Sequence, residues 1–404
     1  MYKWIAVACV VTIGMLAGAP AAVASDEFVY VESNIQTPNG NSILAFKRDS
    51  HGNMTGVAGS PFLTGGAGVQ QTVLAFGPYD TDSEITIDSR RGLLFAVNSG
   101  SDTIAVFHIN SSGSLTPVAG SPFPSGGTDP VSVAVARDFL FVVNQNGDAP
   151  RNSTILPNYT TFRIGPDGSL SPIDGSTVSV ALGSAPSQAL VVSGTNLLFG
   201  VDFLGGLMQS FKFDYEGRLH QRLPVPLPAS EFGPAPRVAL GIINHPREPF
   251  IYAGFPAASR LGVFRFDEQG HLRFVRSVPN SGIAICWLRT NRAGTRLYTS
   301  NQGTFTPTST ITVYDITDAD DPVEIQSITL AGTSNSTQIE LSADERNLFA
   351  VSQHFNLVTP LNAGKELHVL SIAPDGSLSE SISPVPMSIP DGAQPQGLAV
   401  FAPR

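Results

Sequence analysis

The sequence predicts an all-β chain: a seven-bladed β-propeller of four-stranded antiparallel blades, closed by the C-terminal strand joining the N-terminal blade. Three observations carry this reading. A hexapeptide, Val57-Ala58-Gly59-Ser60-Pro61-Phe62, returns as Val118-Ala119-Gly120-Ser121-Pro122-Phe123. A Gly-x-(Leu/Met) turn recurs at Gly52, Gly113, Gly168, Gly217, Gly270 and Gly376, and Asp320-Asp321-Pro322-Val323 stands in its place once more, so the units are about 54 residues long. The two ends are complementary: Phe28-Val29-Tyr30-Val31 aligns with the second strand of other units, and Gln396-Gly397-Leu398-Ala399-Val400-Phe401 with the first.

Each unit holds the same succession of short strands. In one of them Glu84 to Asp88 and Leu93 to Val97 precede Ile104 to Ile109, then the Gly113 turn, then Leu115 to Ala119. No segment between strands shows a sustained 3.6-residue period, which disfavours βαβ architectures. One blade cannot bury both its faces, but neighbouring blades can, and closing the ring leaves only short edges. Two β-sandwiches would not explain the complementary ends.

Composition narrows the function classes. The 404 residues are 42% hydrophobic and 14% charged, against about 25% charged in an average globular protein. Gly 39 and Pro 31 supply the many tight turns. Net charge is −10 with no Lys/Arg block, so nucleic acid is excluded as an expected partner. Residues 1–24 read as a signal peptide: Lys3, an apolar stretch Trp4 to Gly18, and Ala22-Val23-Ala24 as the cleavage site. Residues 25–404 form the propeller, secreted or periplasmic, with no later membrane span. Removing the leader removes Cys9 and leaves Cys286 alone, so no intrachain disulfide is expected.

The first strand of each blade should line the channel. A Pro marks its start at Pro130, Pro186, Pro236 and Pro395, and the next two positions form a ring at one mouth. That ring includes Glu84, Gln188, Arg237 and Gln338, and second-strand ends add Asn98, Asn144, Asp202, Asn301 and Ser352. Long loops at 145–158, 302–309 and 353–365, and the stretch 60–82, share this face. The Asn/Asp set either caps turns or contacts ligand. Arg237, the lone cation of the ring, either holds a carboxylate or phosphate bidentately or pairs with Glu84 or Asp202.

Motifs for established catalysis are missing: no Gly-x-Ser-x-Gly elbow, His-Glu-x-x-His, Cys-x-x-Cys or phosphate loop. No two of the seven histidines have metal-ligand spacing, and no cofactor or metal is expected. His51, His108, His220, His271 and His368 fall in outer strands or turns and are expected on the surface; His354, in a long loop on the favoured face, is the one acid/base candidate among them. Asn53, Asn110, Asn152, Asn158 and Asn335 each begin an N-x-S/T sequon.

The chain resembles the lactonase family of seven-bladed propellers, which includes a 6-phosphogluconolactonase and fungal 3-carboxymuconate cyclases. The marks are the turns Asp167-Gly168-Ser169-Leu170 and Asp375-Gly376-Ser377-Leu378 and the strand Leu94-Phe95-Ala96-Val97-Asn98. Leu297-Tyr298-Thr299-Ser300-Asn301 is also similar to the related Tyr-Val-x-Asn propeller repeats. The resemblance implies a polar site at one channel mouth built from His, Glu and Arg. Here Pro186-Ser187-Gln188 stands for the family's Pro-His-x-His, Asp202-Phe203-Leu204-Gly205 keeps the Asp of Asp-Leu-Gly, and Pro234-Ala235-Pro236-Arg237-Val238 keeps the Arg of Gly-Pro-Arg-His without its His. Tyr252-Ala253-Gly254-Phe255-Pro256 lacks the Glu, and Ser300-Asn301-Gln302-Gly303 has Gln for Arg.

Two functions follow. In the first, an enzyme acts on a lactone or small carboxylated substrate at the channel mouth, with Arg237 holding the acid group, Glu84 or Asp202 moving protons, and Gln188, Gln302, Gln338, Asn144 and His354 contacting substrate. In the second, a non-catalytic exported propeller binds a small anionic molecule, glycan or protein through its loop-rich face.

Overall fold

The computed structural model describes residues 26–49, 52–69, 82–146, 155–303, 308–332, 335–353, 364–390 and 392–403, with Met1. Seven antiparallel sheets follow one another around a ring. The innermost strands are Gln396–Phe401, Ile85–Asp88, Pro130–Ala136, Pro186–Val191, Ile242–Asn244, Ile285–Thr290 and Asn335–Leu341, which define blades 1 to 7. The leader expected at residues 1–24 lies outside the described residues apart from Met1.

Closure is as the two chain ends predict. Phe28 pairs with Phe401, Val29 with Val400, Tyr30 with Ala399 and Val31 with Leu398. An ion cluster fastens this blade to blade 7: Arg48 Nε donates to Glu27 at 2.6 Å, and its Nη1 and Nη2 donate to Asn347 at 2.7 Å and Asp344 at 3.1 Å. Glu27 and Arg48 are almost fully buried. Burial pushes the Glu27 carboxyl up, partly offset by the Ala343 amide and Arg48.

The core lies between blades. Blade 2 presents Leu93, Phe95 and Val97 to Val133, Leu140 and Val142 of blade 3, and each later joint repeats the arrangement. Second-strand tyrosines reach under the next blade. Tyr30 donates to the Gly113 carbonyl at 2.9 Å, Tyr252 to Ala319 at 2.9 Å and Tyr298 to Gly376 at 3.2 Å. Gly113 must be glycine there: its φ is +81°, and a Cβ would overlap the Phe28 ring.

The repeated hexapeptide has a backbone reason. In five blades the fourth strand is broken in two, as with Leu115–Pro117 and Phe123–Pro124, and both pieces pair with the third strand. The break would leave a third-strand N–H without a ladder partner. A serine hydroxyl takes it: Ala45 N donates to Ser60 Oγ at 2.9 Å, Val106 N to Ser121 Oγ at 2.8 Å and Thr161 N to Ser176 Oγ at 3.3 Å. Blades 5 and 6 instead carry continuous outer strands, Leu272–Pro279 and Val323–Thr329, each with one register shift against its partner.

Candidate functional site in the central channel

Strand register fixes which side chains meet in the channel. Ser132, Gln188 and Leu398 pair with Val143, Val201 and Val31, and the Glu84 carbonyl accepts from Val97 N. In the remaining blades Ile242, Leu288 and Ile339 pair with Ala253, Thr299 and Ala350, where Val133 pairs with Val142 in blade 3. One ring is therefore Glu84, Ser132, Gln188, Gly241, Trp287, Gln338 and Leu398. Two residues further in lie Thr86, Ala134, Leu190, Ile243, Arg289, Glu340 and Val400.

Glu84 and Gln338 meet in this ring, and Gln188 lies at the same level of it. Gln338 Nε2 donates to Glu84 Oε1 at 2.9 Å across blade 1, and Gln188 Oε1 accepts the Ile242 amide at 2.6 Å. All three side chains are buried.

Arg237 does not join them. The inner strand of blade 5 begins at Ile242, six residues past Pro236, because residues 228–238 are extra chain rather than strand. Arg237 is exposed there, with its backbone packed against Gly206, and forms no ion pair with Glu84 or Asp202 among the described residues. Asp202 is a turn cap: Oδ1 accepts Ala185 N and Gly205 N, both at 2.8 Å. Asn144 likewise donates to the Ser125 carbonyl and to Asn158, both at 3.1 Å. Gln302 is buried, and its backbone bonds Ala284 and Asn335. His354 lies outside the described residues.

Among the described residues, the cation in the channel is Arg289. Its Nε donates to Glu340 Oε2 at 2.9 Å, and its Nη1 and Nη2 to the two oxygens of Asp82 at 3.2 and 3.3 Å. Asp82 has no exposed surface, Arg289 is 12% exposed and Glu340 28%, so Glu340 is the carboxylate that solvent reaches. Burial works against the Arg289 charge, but Asp82 and then Glu340 outweigh it and push its pKa up. Asp82 stands where blades 3 and 4 have Pro130 and Pro186. Ser83 at φ +69° turns the chain inward, with its carbonyl bound to Val133 of blade 3 and Asp82 N bound to Ser187 of blade 4. Sequence reasoning missed this triad. The available signal was a charge in an inner strand, Arg289 and Glu340, at a position that is apolar in four of the other five blades.

These residues border a cavity of about 430 Å³ lined by Thr86, Gln188, Leu190, Ile243, Arg289 and Glu340. Its rim includes exposed Ser89 and Ala343, which belong to the short turns joining first and second strands. It thus opens on the face opposite the long loops, not on the face favoured from sequence. Against surface expectation, His368 is fully buried: Nδ1 meets Glu380 Oε1 at 2.6 Å and Nε2 meets Ser352 Oγ at 3.0 Å. Cys286 is a buried thiol that donates to the Ala284 carbonyl. The sequon residues Asn158 and Asn335 are buried.

Solved structures share this architecture. A periplasmic gluconolactonase of Pseudomonas aeruginosa superposes with TM-score 0.69 at 16% identity, covering 93% of this chain and 100% of its own. A Bacteroides uniformis protein provisionally described as a 6-phosphogluconolactonase gives 0.70 at 13%, covering 93% and 99%. A Lactobacillus plantarum protein gives 0.69 at 16%, with the same coverage. The fold is that of the lactonase-like propellers. No family model matches the sequence, and no curated protein matches it. Among the described residues of this lactonase-like propeller, no helix is long and apolar enough to cross a membrane and no group of His, Cys, Asp and Glu is arranged to hold a metal ion.

Proposed function

We propose that this is an exported lactonase-like propeller that takes a small lactone or carboxylated compound into its channel from the short-turn face, and that it binds this ligand more effectively than it turns it over. The carrying observation is the cavity wall, where Arg289 and the solvent-reached carboxylate of Glu340 stand together. Lactone opening needs a polarised carbonyl and an activated water. Glu340 would take a proton from such a water. Arg289 already gives its hydrogen bonds to two carboxylates, which limits what it can offer a carbonyl. The His, Glu and second Arg implied by the family resemblance are absent at the aligned positions, and each such group contributes about 10²-fold or more. Export is supported by the leader-like residues 1–24 and by the periplasmic source of a neighbour with the same fold.

The test is calorimetric titration and a hydrolysis assay of mature protein with gluconolactone and 6-phosphogluconolactone, with Glu340→Gln beside wild type. Binding that is lost in Glu340→Gln supports the channel reading. The second reading, a binder using its loop-rich face, is favoured by exposed Arg237 on that rim. Anion binding lost in Arg237→Ala and kept in Glu340→Gln would select it. Efficient turnover by wild type would overturn the weak-catalysis part.

A further inference from the structure

We propose that Asp82 is an internal ligand: the channel contains a carboxylate-binding subsite at Arg289 that the protein's own Asp82 occupies, and small carboxylates bind by taking its place. The inference rests on the channel being the ligand site and names the group that site recognises.

The geometry is that of recognition rather than of an incidental contact. Two parallel bonds join the guanidinium fork to the two carboxylate oxygens, Nη1 to Oδ2 at 3.2 Å and Nη2 to Oδ1 at 3.3 Å. This is how arginine reads a free carboxylate. Both distances are longer than the 2.7–2.9 Å of a tight charged pair, so a ligand free to move can improve on them. Arg289 itself is fixed from the other side by Glu340 at 2.9 Å and by its own Leu288 carbonyl at 2.8 Å through Nη1. It would therefore keep its orientation if Asp82 were withdrawn. Asp82 reaches Arg289 from the chain leading into blade 2, not from a strand of blade 6 or 7, and Ser83 beside it lines the same cavity as Arg289. Truncating Asp82 would empty a volume bounded by Ser83 and Arg289, both of which line that cavity. An ordinary strut between blades would have no such outlet.

Chemical rescue tests this directly with acetate and formate as probes. Full-length mature protein is melted in rising acetate, with chloride at matched ionic strength as control. Asp82→Ala is expected to melt below wild type and to recover by about 2 °C or more in saturating acetate. Wild type should shift less than Asp82→Ala, because acetate there must first displace Asp82, and Asp82→Ala/Arg289→Met should not shift beyond chloride. Asp82→Ser, which also leaves room for the anion, is the second variant if Asp82→Ala folds poorly. An equal acetate shift in wild type, no shift in either single variant, or a shift that survives loss of Arg289 overturns the proposal. Failure of both single variants to fold even with acetate present does so too. Gluconolactone titration is a separate arm: rescue without lactone binding sinks the proposed function alone, and lactone binding without rescue sinks this inference alone.

Discussion

Arg289 of blade 6 and Glu340 of blade 7 occupy the same register position in adjacent inner strands, and Nε donates to Oε2 at 2.9 Å. Blades 1, 3, 4 and 5 hold Val400, Ala134, Leu190 and Ile243 at that level. The pair is thus a local exception in an apolar ring, joined by Asp82 from blade 2.

Removing the cation should cost more than neutralising its partner. Arg289→Met leaves Asp82 buried without its counter-charge, a loss of about 3–5 kcal/mol. Glu340→Gln, at a partly exposed group, should lose about 1 kcal/mol. Urea unfolding midpoints decide; equal losses would mean Asp82 does not depend on Arg289.

Deleting residues 396–404 removes the inner strand of blade 1 and its pairing with Phe28 to Glu32. The variant should fail to show cooperative unfolding. A protein ending at Pro395 that melts with the wild type would contradict the closure.

Ser60→Ala and Ser121→Ala leave the amides of Ala45 and Val106 without their acceptors, which should cost about 1–3 kcal/mol each. Hydrogen exchange at those two amides should accelerate while neighbouring strand amides stay protected. Unchanged exchange at both would show that the hydroxyls are dispensable.

Glu32 is fully buried, Asn41 Nδ2 is its side chain's one hydrogen-bond partner among the described residues, to Oε1 at 2.6 Å, and burial raises its pKa well above 4.5 despite that bond. A raised folded-state pKa means the proton favours the native state. Its contribution is fully present below the unfolded value near 4.5 and is lost as pH rises through the folded pKa. Glu32→Gln should therefore gain on wild type progressively as pH is raised above about 4.5. Melting curves from pH 4 to 8 test it; a constant difference across that range would mean Glu32 does not hold a proton.

The repeat, the blade number and the closing strand were legible because each is a local pattern repeated along the chain. Glu84, Gln188 and Gln338 fall at one ring level, as their aligned spacing predicts, because their blades keep that spacing. Arg237 was misplaced because Pro236 precedes the blade 5 strand by six residues, and no local signal separates a strand-opening proline from one on an irregular rim. The Asp82–Arg289 pair could not be read at all, since 207 residues separate its members and only ring closure brings them together. His368 was called exposed because a histidine in a third strand usually is; its burial depends on Glu380 and Ser352 flanking the ring on both sides.

The broken fourth strands also bear on solubility. A propeller presents seven outer edges to solvent, and an unbroken edge is a template for strand addition from another chain. Where the strand splits into pieces of two or three residues, an incoming strand finds no continuous ladder to extend. The two unbroken edges are those of blades 5 and 6. Blade 5 carries Arg273 and Arg276 along its edge, but blade 6 alternates Glu324 and Gln326 with exposed Val323 and Ile325. Self-association or aggregation of this protein should therefore begin at the rim of blade 6, and a lysine at Ile325 should suppress it.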